Sequence, residues 1–209
     1  MDIEYYGANC LAFSTKQARI VVDDNLADLG SKAITKPGDT AVFTGAHGSP
    51  QKDVKLVIDS PGEYEVAGIS IVGIPARSHL EEKAVKNATM YKVLYGDVRV
   101  LVTGHVYPEL SEAQLEAIGT VDLLYIPVGG NGYTLDPVGA MQLIKKIEPN
   151  AVVLTHYADT ALQYDVPQQS LEEALKVVSI EPSQTTKKLK LKGGEFNEGS
   201  TDLIVLEKA

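Results

Sequence analysis

The sequence predicts an α+β protein in which two β-sheets are covered by helices. The first half of the chain contains short runs of apolar and β-branched residues, separated by turn residues, with almost no helical periodicity. Residues 122–159 then follow the pattern strand, loop, helix, strand, and the last part of the chain returns to strands. Many strands before and after a few helices fit two packed sheets better than a simple doubly wound sheet.

Short strands are predicted throughout the first half of the chain. Residues 3–6, 10–13 and 19–22 are apolar runs separated by turn residues, which indicates a meander of hairpins. Residues 25–39 are polar and are predicted to form a loop. Further strands are predicted at residues 40–44, 55–59, 64–66, 69–74, 91–94 and 98–102.

A β-α-β crossover is predicted in the second half. An apolar, β-branched run at residues 122–128 indicates a buried strand, and a second apolar run follows at residues 151–154. Asp136 is a suitable helix cap and Pro137 fits the first helical position, so a helix is predicted between the two strands. Strands joined in this way are parallel and buried on both faces.

Two other helices and two closing strands complete the predicted order. Ser111 and Gln114 form the pattern of a capping box at the start of one helix. Residues 170–178 carry apolar side chains at helical spacing. Residues 188–191 alternate Lys and Leu, as in an edge strand with one solvated face, and residues 203–206 form the last strand.

The composition excludes several classes of function. Hydrophobic residues make up 44% and charged residues 22% of the 209 residues, which is typical of a soluble globular protein with a single domain over residues 1–209. The net charge of −9 argues against binding to nucleic acid or to a membrane surface, because both need a positive field on the protein. Neither partner is therefore predicted.

The cysteine content and the N-terminal sequence predict a cytoplasmic protein. Cys10 is the only cysteine, so no intramolecular disulfide can form, and its apolar neighbours predict a buried structural thiol rather than a nucleophile. The N-terminus lacks a basic-then-apolar signal pattern, and no apolar run has membrane-spanning length. A cytoplasmic location is expected by elimination.

All four histidines follow apolar, strand-like runs; they are His47, His79, His105 and His156. If the strand ends meet at one edge, the imidazoles can converge, and neutral imidazole is a common zinc ligand. A shared ion would require rings within about 4 to 5 Å of each other, since zinc–nitrogen bonds are about 2 Å long. No two histidines have the short spacing of strong zinc motifs, so spacing alone favours independent histidines.

Several segments carry longer motifs. YYGANC at residues 5–10 resembles YYGHSC, and VVD at residues 21–23 resembles a strand that ends in LID. PGEYEV at residues 61–66, IPVGG at residues 126–130 and THY at residues 155–157 are more specific matches. In these motifs the chain resembles the metallo-β-lactamase superfamily, in particular the small zinc-dependent hydrolases similar to ascorbate-6-phosphate lactonase. The resemblance implies a four-layer αββα sandwich with metal at one edge between the sheets.

The family signature THxHxDH is degraded in this chain. It falls on residues 44–50, where His47 is the only histidine that coincides. Ser49 stands in place of the aspartate that would bind a second metal, and Pro50 in place of the adjacent histidine. A two-metal hydrolase needs a carboxylate that bridges the ions and several ligands to each. The ordinary family mechanism is therefore not expected.

Other positions that bind metal in the family are also changed. Ala8 replaces the histidine of the opening motif, and Ser78 aligns with a further family histidine, which leaves His79 one residue away. His105 replaces the bridging aspartate, whereas His156 matches residue for residue. The candidate metal residues implied by the resemblance are His47, His105 and His156, with His79 as a fourth.

Two functions are predicted as alternatives. In the first, the chain keeps the fold and the cleft as a metal-free binding or scaffold module, because a site that has lost several ligands loses metal affinity steeply. In the second, the chain is a single-zinc hydrolase in which His47, His105 and His156 leave a position open for water. The histidine at position 105 favours the second, because random loss would not supply a ligand. The expected cofactor is accordingly none or one zinc ion.

The predicted partner is a small anionic molecule. Arg77, Lys83 and Lys86 flank His79 and could attract an anion; a solvated loop is the equal alternative. The glycine-rich run at residues 129–132 lacks the lysine and the spacing of a phosphate-binding loop, so a flexible edge loop is predicted there. Asp23, which ends a strand, is predicted to lie in a turn; a weak or supporting role beside a metal is the alternative.

Overall fold

Two β-sheets packed face to face form the centre of the structure. The computed structural model describes residues 1–47, 53–80, 87–194, 196 and 199–209. Its strands are β1 (Asp2–Gly7), β2 (Cys10–Ser14), β3 (Arg19–Val22), β4 (Thr40–Val42), β5 (Leu56–Ile58), β6 (Gly62–Val66), β7 (Ile69–Ala76), β8 (Ala88–Tyr95), β9 (Val98–Val102), β10 (Leu123–Pro127), β11 (Ala151–Thr155), β12 (Pro182–Thr186), β13 (Lys188–Lys190) and β14 (Asp202–Leu206). Its helices are α1 (Glu112–Ile118), α2 (Pro137–Ile147) and α3 (Leu171–Val178).

Both sheets mix parallel and antiparallel strands. Within the described residues, the first sheet has the strand order β13-β1-β2-β3-β4-β5, and the second has the order β12-β14-β11-β10-β9-β8-β7-β6. Strands β9, β10, β11 and β14 run parallel at the centre of the second sheet. The predicted β-α-β crossover is confirmed, because β10 and β11 pair in parallel and α2 connects them.

Two apolar layers hold the sheets and the helices together. Large side chains such as Phe13, Tyr91 and Tyr125 fill the space between the sheets and are fully buried. On the outer face of the second sheet, Leu143 and Ile144 of α2 lie in a second apolar cluster with strand and helix residues. Burial of apolar area stabilises such layers by about 25 cal/mol per Å².

The outer face of the first sheet is covered by loops. Cys10 and Ala12 of β2 pack there against Leu26 and Leu162, which belong to the segments 23–39 and 156–170. The predicted α+β two-sheet sandwich is confirmed, and on this side the fourth layer consists of loops within the described residues. Cys10 is buried, as predicted.

The helix boundaries follow from their caps. Ser111 with Gln114 forms the predicted capping box of α1, and Asp136 caps α2 with Pro137 at its first turn. Strand β12 was not predicted, because PSQTT is polar and exposed and lacks an apolar alternation. It is nevertheless paired with β14 in parallel at the sheet edge.

No helix among the described residues combines the length and the apolar character that crossing a membrane requires. The expectations for Ser49, Pro50, Lys83 and Lys86 concern positions outside the described residues.

Candidate functional site

A cavity of about 500 Å³ opens between the two sheets where the central parallel strands end. Its lining includes His105, which follows β9, and His156, which follows β11. Both strands neighbour β10, and functional side chains collect at the carboxyl ends of parallel strands. The predicted convergence of histidines at this edge therefore has a simple topological origin.

The His105 and His156 rings meet edge to face. Their centroids lie 4.5 Å apart, with an angle of 85° between the ring planes. His156 is 3% exposed, and its backbone adopts a left-handed conformation with φ +52°. A hydrogen bond from its backbone N–H to the carbonyl oxygen of Ala8 fixes the strand end against the first sheet.

Asn9 forms a hydrogen bond with Nε2 of His105. The side-chain nitrogen of Asn9 lies 3.2 Å from this ring atom, and Thr155 donates a hydrogen bond of 2.8 Å to the side-chain oxygen of Asn9. Rotating the amide by 180° would place its oxygen against the same ring nitrogen, so Asn9 remains its partner in either orientation. Nδ1 of His105 is buried with no hydrogen-bond partner among the described atoms.

Gln168 orients the second imidazole. Its side-chain nitrogen donates to the carbonyl oxygen of Val166, which directs its side-chain oxygen toward Nδ1 of His156 at 3.2 Å. An amide oxygen accepts hydrogen bonds, so Nδ1 of His156 carries the proton and Nε2 carries a lone pair. His156 is thus held in one tautomer with an acceptor nitrogen.

Gly129 permits this contact. A Cβ atom at position 129 would lie 1.9 Å from the side-chain oxygen of Gln168 and 2.3 Å from the carbonyl oxygen of His156. Only glycine therefore lets the two segments approach so closely. Gly129 and Gly130 are buried, and Gln169 donates its backbone N–H to Gly129, so the predicted edge loop is packed rather than free.

Burial keeps both imidazoles neutral near pH 7. It lowers the pKa of His105 well below its ordinary value, and the neighbouring His156 and His79 lower it further. Burial also lowers the pKa of His156 to about 4, although the hydrogen bond to Gln168 opposes this shift. A charged imidazole in an apolar surrounding lacks the solvation it has in water.

Asp23 contributes a buried carboxylate to the cavity. It accepts hydrogen bonds from the backbone N–H of Thr44 at 2.7 Å and from the Thr44 hydroxyl at 2.6 Å. Burial raises its pKa to about 6, and the bonds from Thr44 partly offset that shift. Gly104 makes room for Thr44, since a Cβ at position 104 would lie 2.1 Å from the Thr44 hydroxyl. Asp23, which was predicted to lie in a turn, is buried, and its carboxylate lines the cavity.

His47 lines the same cavity but takes part in a different contact. Its ring stacks on Phe43 with centroids 3.9 Å apart, and its Nε2 lies 3.4 Å from the Asp59 carboxylate. His79 points elsewhere, with its ring 6.1 Å from that of Tyr107. The preceding residue, Ser78, lines the cavity instead, because neighbouring residues in an extended segment face opposite sides.

Comparison with known proteins places the chain in a family. A family model described as Beta-lactamase superfamily domain matches residues 2–156, a segment that contains all four histidines. The chain belongs to the beta-lactamase superfamily. No curated protein matches the chain.

Several solved structures share the fold of this chain. A proposed zinc-dependent hydrolase of the metallo-beta-lactamase superfamily from Thermotoga maritima is 23% identical, with coverage of 99% of this chain and 98% of that chain and a TM-score of 0.73. A proposed metal-dependent hydrolase from Parabacteroides distasonis is 14% identical, with coverage of 98% and 93% and a TM-score of 0.67. The metallo-beta-lactamase fold protein YhfI from Bacillus subtilis is 10% identical, with coverage of 99% and 97% and a TM-score of 0.64.

The donor groups of this superfamily member do not fit a metal centre. Nε2 of His105 is engaged by Asn9, and Nε2 of His47 faces Asp59. Nε2 of His156 and Nδ1 of His105 have no hydrogen-bond partner in the described chain. Among the described residues, no three His, Cys, Asp or Glu side chains are grouped so that they could hold an ion. Zinc sites in proteins use three or four such ligands.

Several cavity residues were missed by sequence reasoning. Tyr133 lies 5.0 Å from His105 and 5.8 Å from His156, and Tyr164 lies 5.1 Å from His156, measured between ring centroids. Gln168 follows in the same segment as Tyr164, which has no periodic pattern that would place it over the strand ends. Asn9, next to the lost family histidine at position 8, was the one available signal.

The charges around the cavity differ from the expectation of an anionic ligand. The described lining contains the carboxylates of Asp23, Asp28 and Asp165, and no Lys or Arg. Arg77, which was expected to attract an anion, lies 3.7 Å above the ring of Tyr107. An anionic ligand therefore stays a prediction, and the described lining favours neutral or cationic ligands.

Proposed function

We propose that this chain uses the superfamily cavity as a metal-independent binding pocket for a small molecule, without two-metal hydrolysis. The contact between Asn9 and His105 is the observation that carries the proposal. A ring nitrogen that accepts a hydrogen bond, or donates one, cannot coordinate an ion with the same lone pair. The position of the family's bridging aspartate thus holds a group committed to another protein side chain.

The rest of the cavity supports binding over scaffolding alone. A volume of about 500 Å³ lies in the range of small-molecule pockets, which measure roughly 300 to 1,000 Å³. His105 and His156 are held by Asn9 and Gln168, so the polar groups are oriented before a ligand arrives. Preorganised groups lose less freedom on binding and so give higher affinity.

Metal analysis tests the proposal. Protein purified without chelators is expected to contain far less than one equivalent of zinc, manganese or iron by mass spectrometry. Its melting temperature should be the same with and without EDTA, because no ion stabilises the fold. His105→Ala should leave the metal content unchanged, as should the control His79→Ala, which alters a histidine outside the described cavity lining.

A stoichiometric metal that disappears in His105→Ala but persists in His79→Ala would overturn the proposal. Asn9→Ala is a more specific test, because it removes the hydrogen bond to Nε2 of His105. Zinc titrated into Asn9→Ala should bind more tightly than zinc titrated into the wild-type protein. Equal zinc affinity for the two proteins would mean that Asn9 does not block coordination.

The second candidate function is a single-zinc hydrolase that uses His47, His105 and His156. The close approach of the His105 and His156 rings favours it, as does the hydrogen bond from Nδ1 of His156 to Gln168. Zinc-binding histidines commonly donate their other nitrogen to such a partner. If the three residues held zinc, the ion would acidify a bound water for attack on a carbonyl.

The resemblance to ascorbate-6-phosphate lactonases would add a substrate class to this second candidate, namely a phosphorylated lactone. Hydrolysis of a sugar lactone, measured as proton release with and without added zinc, tests it. Zinc-dependent turnover that is lost in both His105→Ala and His156→Ala would favour this hydrolase over the metal-independent pocket.

A further inference from the structure

We infer that the ligand of this cavity is a small organic cation that carries N–H donors, as a primary amine does. This inference rests on the proposed metal-independent binding function and adds the ligand class. Three features of the described cavity support it: an unpaired acceptor nitrogen on His156, carboxylates in the lining, and a wall of aromatic rings.

The acceptor nitrogen selects for a donor on the ligand. His156 is 3% exposed and lines the cavity, and its Nδ1 is committed to Gln168. Nε2 has no hydrogen-bond partner among the described residues. Because His156 lines the cavity, a ligand N–H could donate a hydrogen bond to this nitrogen. A carboxylate ligand offers only acceptors and would be repelled by the same lone pair.

The carboxylates select for positive charge. Asp28 and Asp165 are exposed at the rim, and Asp23 is buried deeper in the lining. Asp23 and Asp165 line the same cavity as Tyr133, and burial and then these two carboxylates raise the pKa of its phenol. Negative groups around a partly enclosed cavity raise the local concentration of cations, and the described lining contains no Lys or Arg to oppose them.

The aromatic wall provides a surface for the cation. Tyr133 lies nearly parallel to His156, with an angle of 27° between the rings, and Tyr164 contacts His156 from another direction. Cations bind over the faces of aromatic rings, where the π electrons carry negative charge. The combination of aromatic faces, acceptor and carboxylates is the chemistry that recognises an ammonium group with an attached organic part.

Benzylamine is the probe that tests this inference. It should bind to the wild-type protein, detected by shifts in the amide NMR signals of the cavity, at least about tenfold more tightly than benzyl alcohol or benzoate. Benzyltrimethylammonium keeps the charge but has no N–H, so it should bind more weakly than benzylamine. The affinity for benzylamine should fall as salt is raised, because the rim carboxylates are screened.

Matched variants localise the effect. The double variant Asp28→Asn with Asp165→Asn should weaken benzylamine binding by about fivefold, since both carboxylates are exposed at the rim. Glu112→Gln with Glu116→Gln changes the net charge equally on α1 and should leave the affinity unchanged. Tyr133→Leu should weaken binding about tenfold, whereas Tyr133→Phe keeps the ring and should bind like the wild type.

Several outcomes would overturn the inference. These are no shifts with benzylamine up to about 10 mM, tighter binding of benzoate or inorganic phosphate, or an equal loss of affinity in the Glu112 and Glu116 control. If the protein is metal-free and binds the anions instead, the proposed pocket stands and the ligand class fails. A stoichiometric metal in the purified protein would instead remove the proposed function itself.

Discussion

The two ends of the central parallel strands use their polar residues differently. At the amino end, Asp122 accepts hydrogen bonds from the backbone and guanidinium of Arg99 and from the side chain of Asn150. At the carboxyl end, His105 and His156 each keep one ring nitrogen without a partner in the described chain. The polar groups at the amino end are thus paired with each other, whereas ring nitrogens at the carboxyl end remain without a partner among the described residues.

We therefore expect the amino end to contribute to stability and the carboxyl end to ligand binding. Partial burial pushes the pKa of Asp122 upward, but the hydrogen bonds from Arg99 more than offset it, so the pKa lies below its ordinary value. At the other end, burial dominates and lowers the pKa of His105 and of His156. Groups with perturbed pKa values in a cleft are candidates for ligand binding, whereas saturated ion pairs are structural.

Gly129→Ala should have the largest effect, and it would damage the carboxyl end alone. The added Cβ would meet the carbonyl oxygen of His156, which cannot move without displacing the strand end. We expect a loss of about 3 kcal/mol or more in the free energy of unfolding, measured by urea denaturation.

Gly45→Ala is the control for that substitution, because Gly45 also lines the cavity and a Cβ there meets nothing within 4 Å. It should change stability by less than about 0.5 kcal/mol. A Gly129→Ala protein as stable as this control would show that the Gln168 contact is not tightly packed.

The second-largest effect is expected in the pH dependence of the unfolding free energy. The pKa of His156 falls from an ordinary 6.5 to about 4 on folding. As pH drops below 6.5 the unfolded chain takes up the proton first, so the fold loses about 3 kcal/mol by pH 4 from this group. His156→Asn, which tolerates the left-handed backbone, should lose this dependence in urea titrations at several pH values.

Asp23 should act in the opposite direction over a similar window. Its pKa rises from 3.8 to about 6 on folding, so the unfolded chain releases its proton first as pH increases. The fold is therefore penalised progressively between pH 3.8 and 6, by about 3 kcal/mol in total. Asp23→Asn should gain stability relative to the wild type as pH rises through this window. If the stability difference between Asp23→Asn and the wild type did not change with pH, the raised pKa of Asp23 would be contradicted.

Asp122→Asn should have a smaller effect and test the amino end. It replaces a carboxylate that accepts charge-assisted bonds from Arg99, and we expect a loss of about 2 kcal/mol in unfolding free energy. Benzylamine affinity should not change, because this residue lies at the opposite end of the strands. A change in benzylamine affinity would show that the amino end also affects ligand binding.

Sequence patterns predicted most of the fold because its determinants are local. The apolar runs of β1 to β3, the capping box at Ser111 and the Asp136-Pro137 start of α2 each depend on a few adjacent residues. Strand β12 was missed because its pairing with β14, rather than its own composition, makes it a strand.

The candidate site was predictable only in part. Strand-end positions correctly brought His105 and His156 to one cavity, since both follow neighbours of β10. The contact of Gln168 with His156 depends on the close approach at Gly129, and the contact of Asn9 with His105 joins residues far apart in the chain. No local pattern encodes such long-range contacts.

The opposite orientations of Ser78 and His79 have an evolutionary consequence. Deleting one residue just before Ser78 would shift the imidazole by one position and turn it from the Tyr107 side toward the cavity. A third imidazole would then stand beside His105 and His156 without any new histidine codon. Together with loss of the Asn9 contact to His105, this single-residue register change would bring three imidazoles to one cavity.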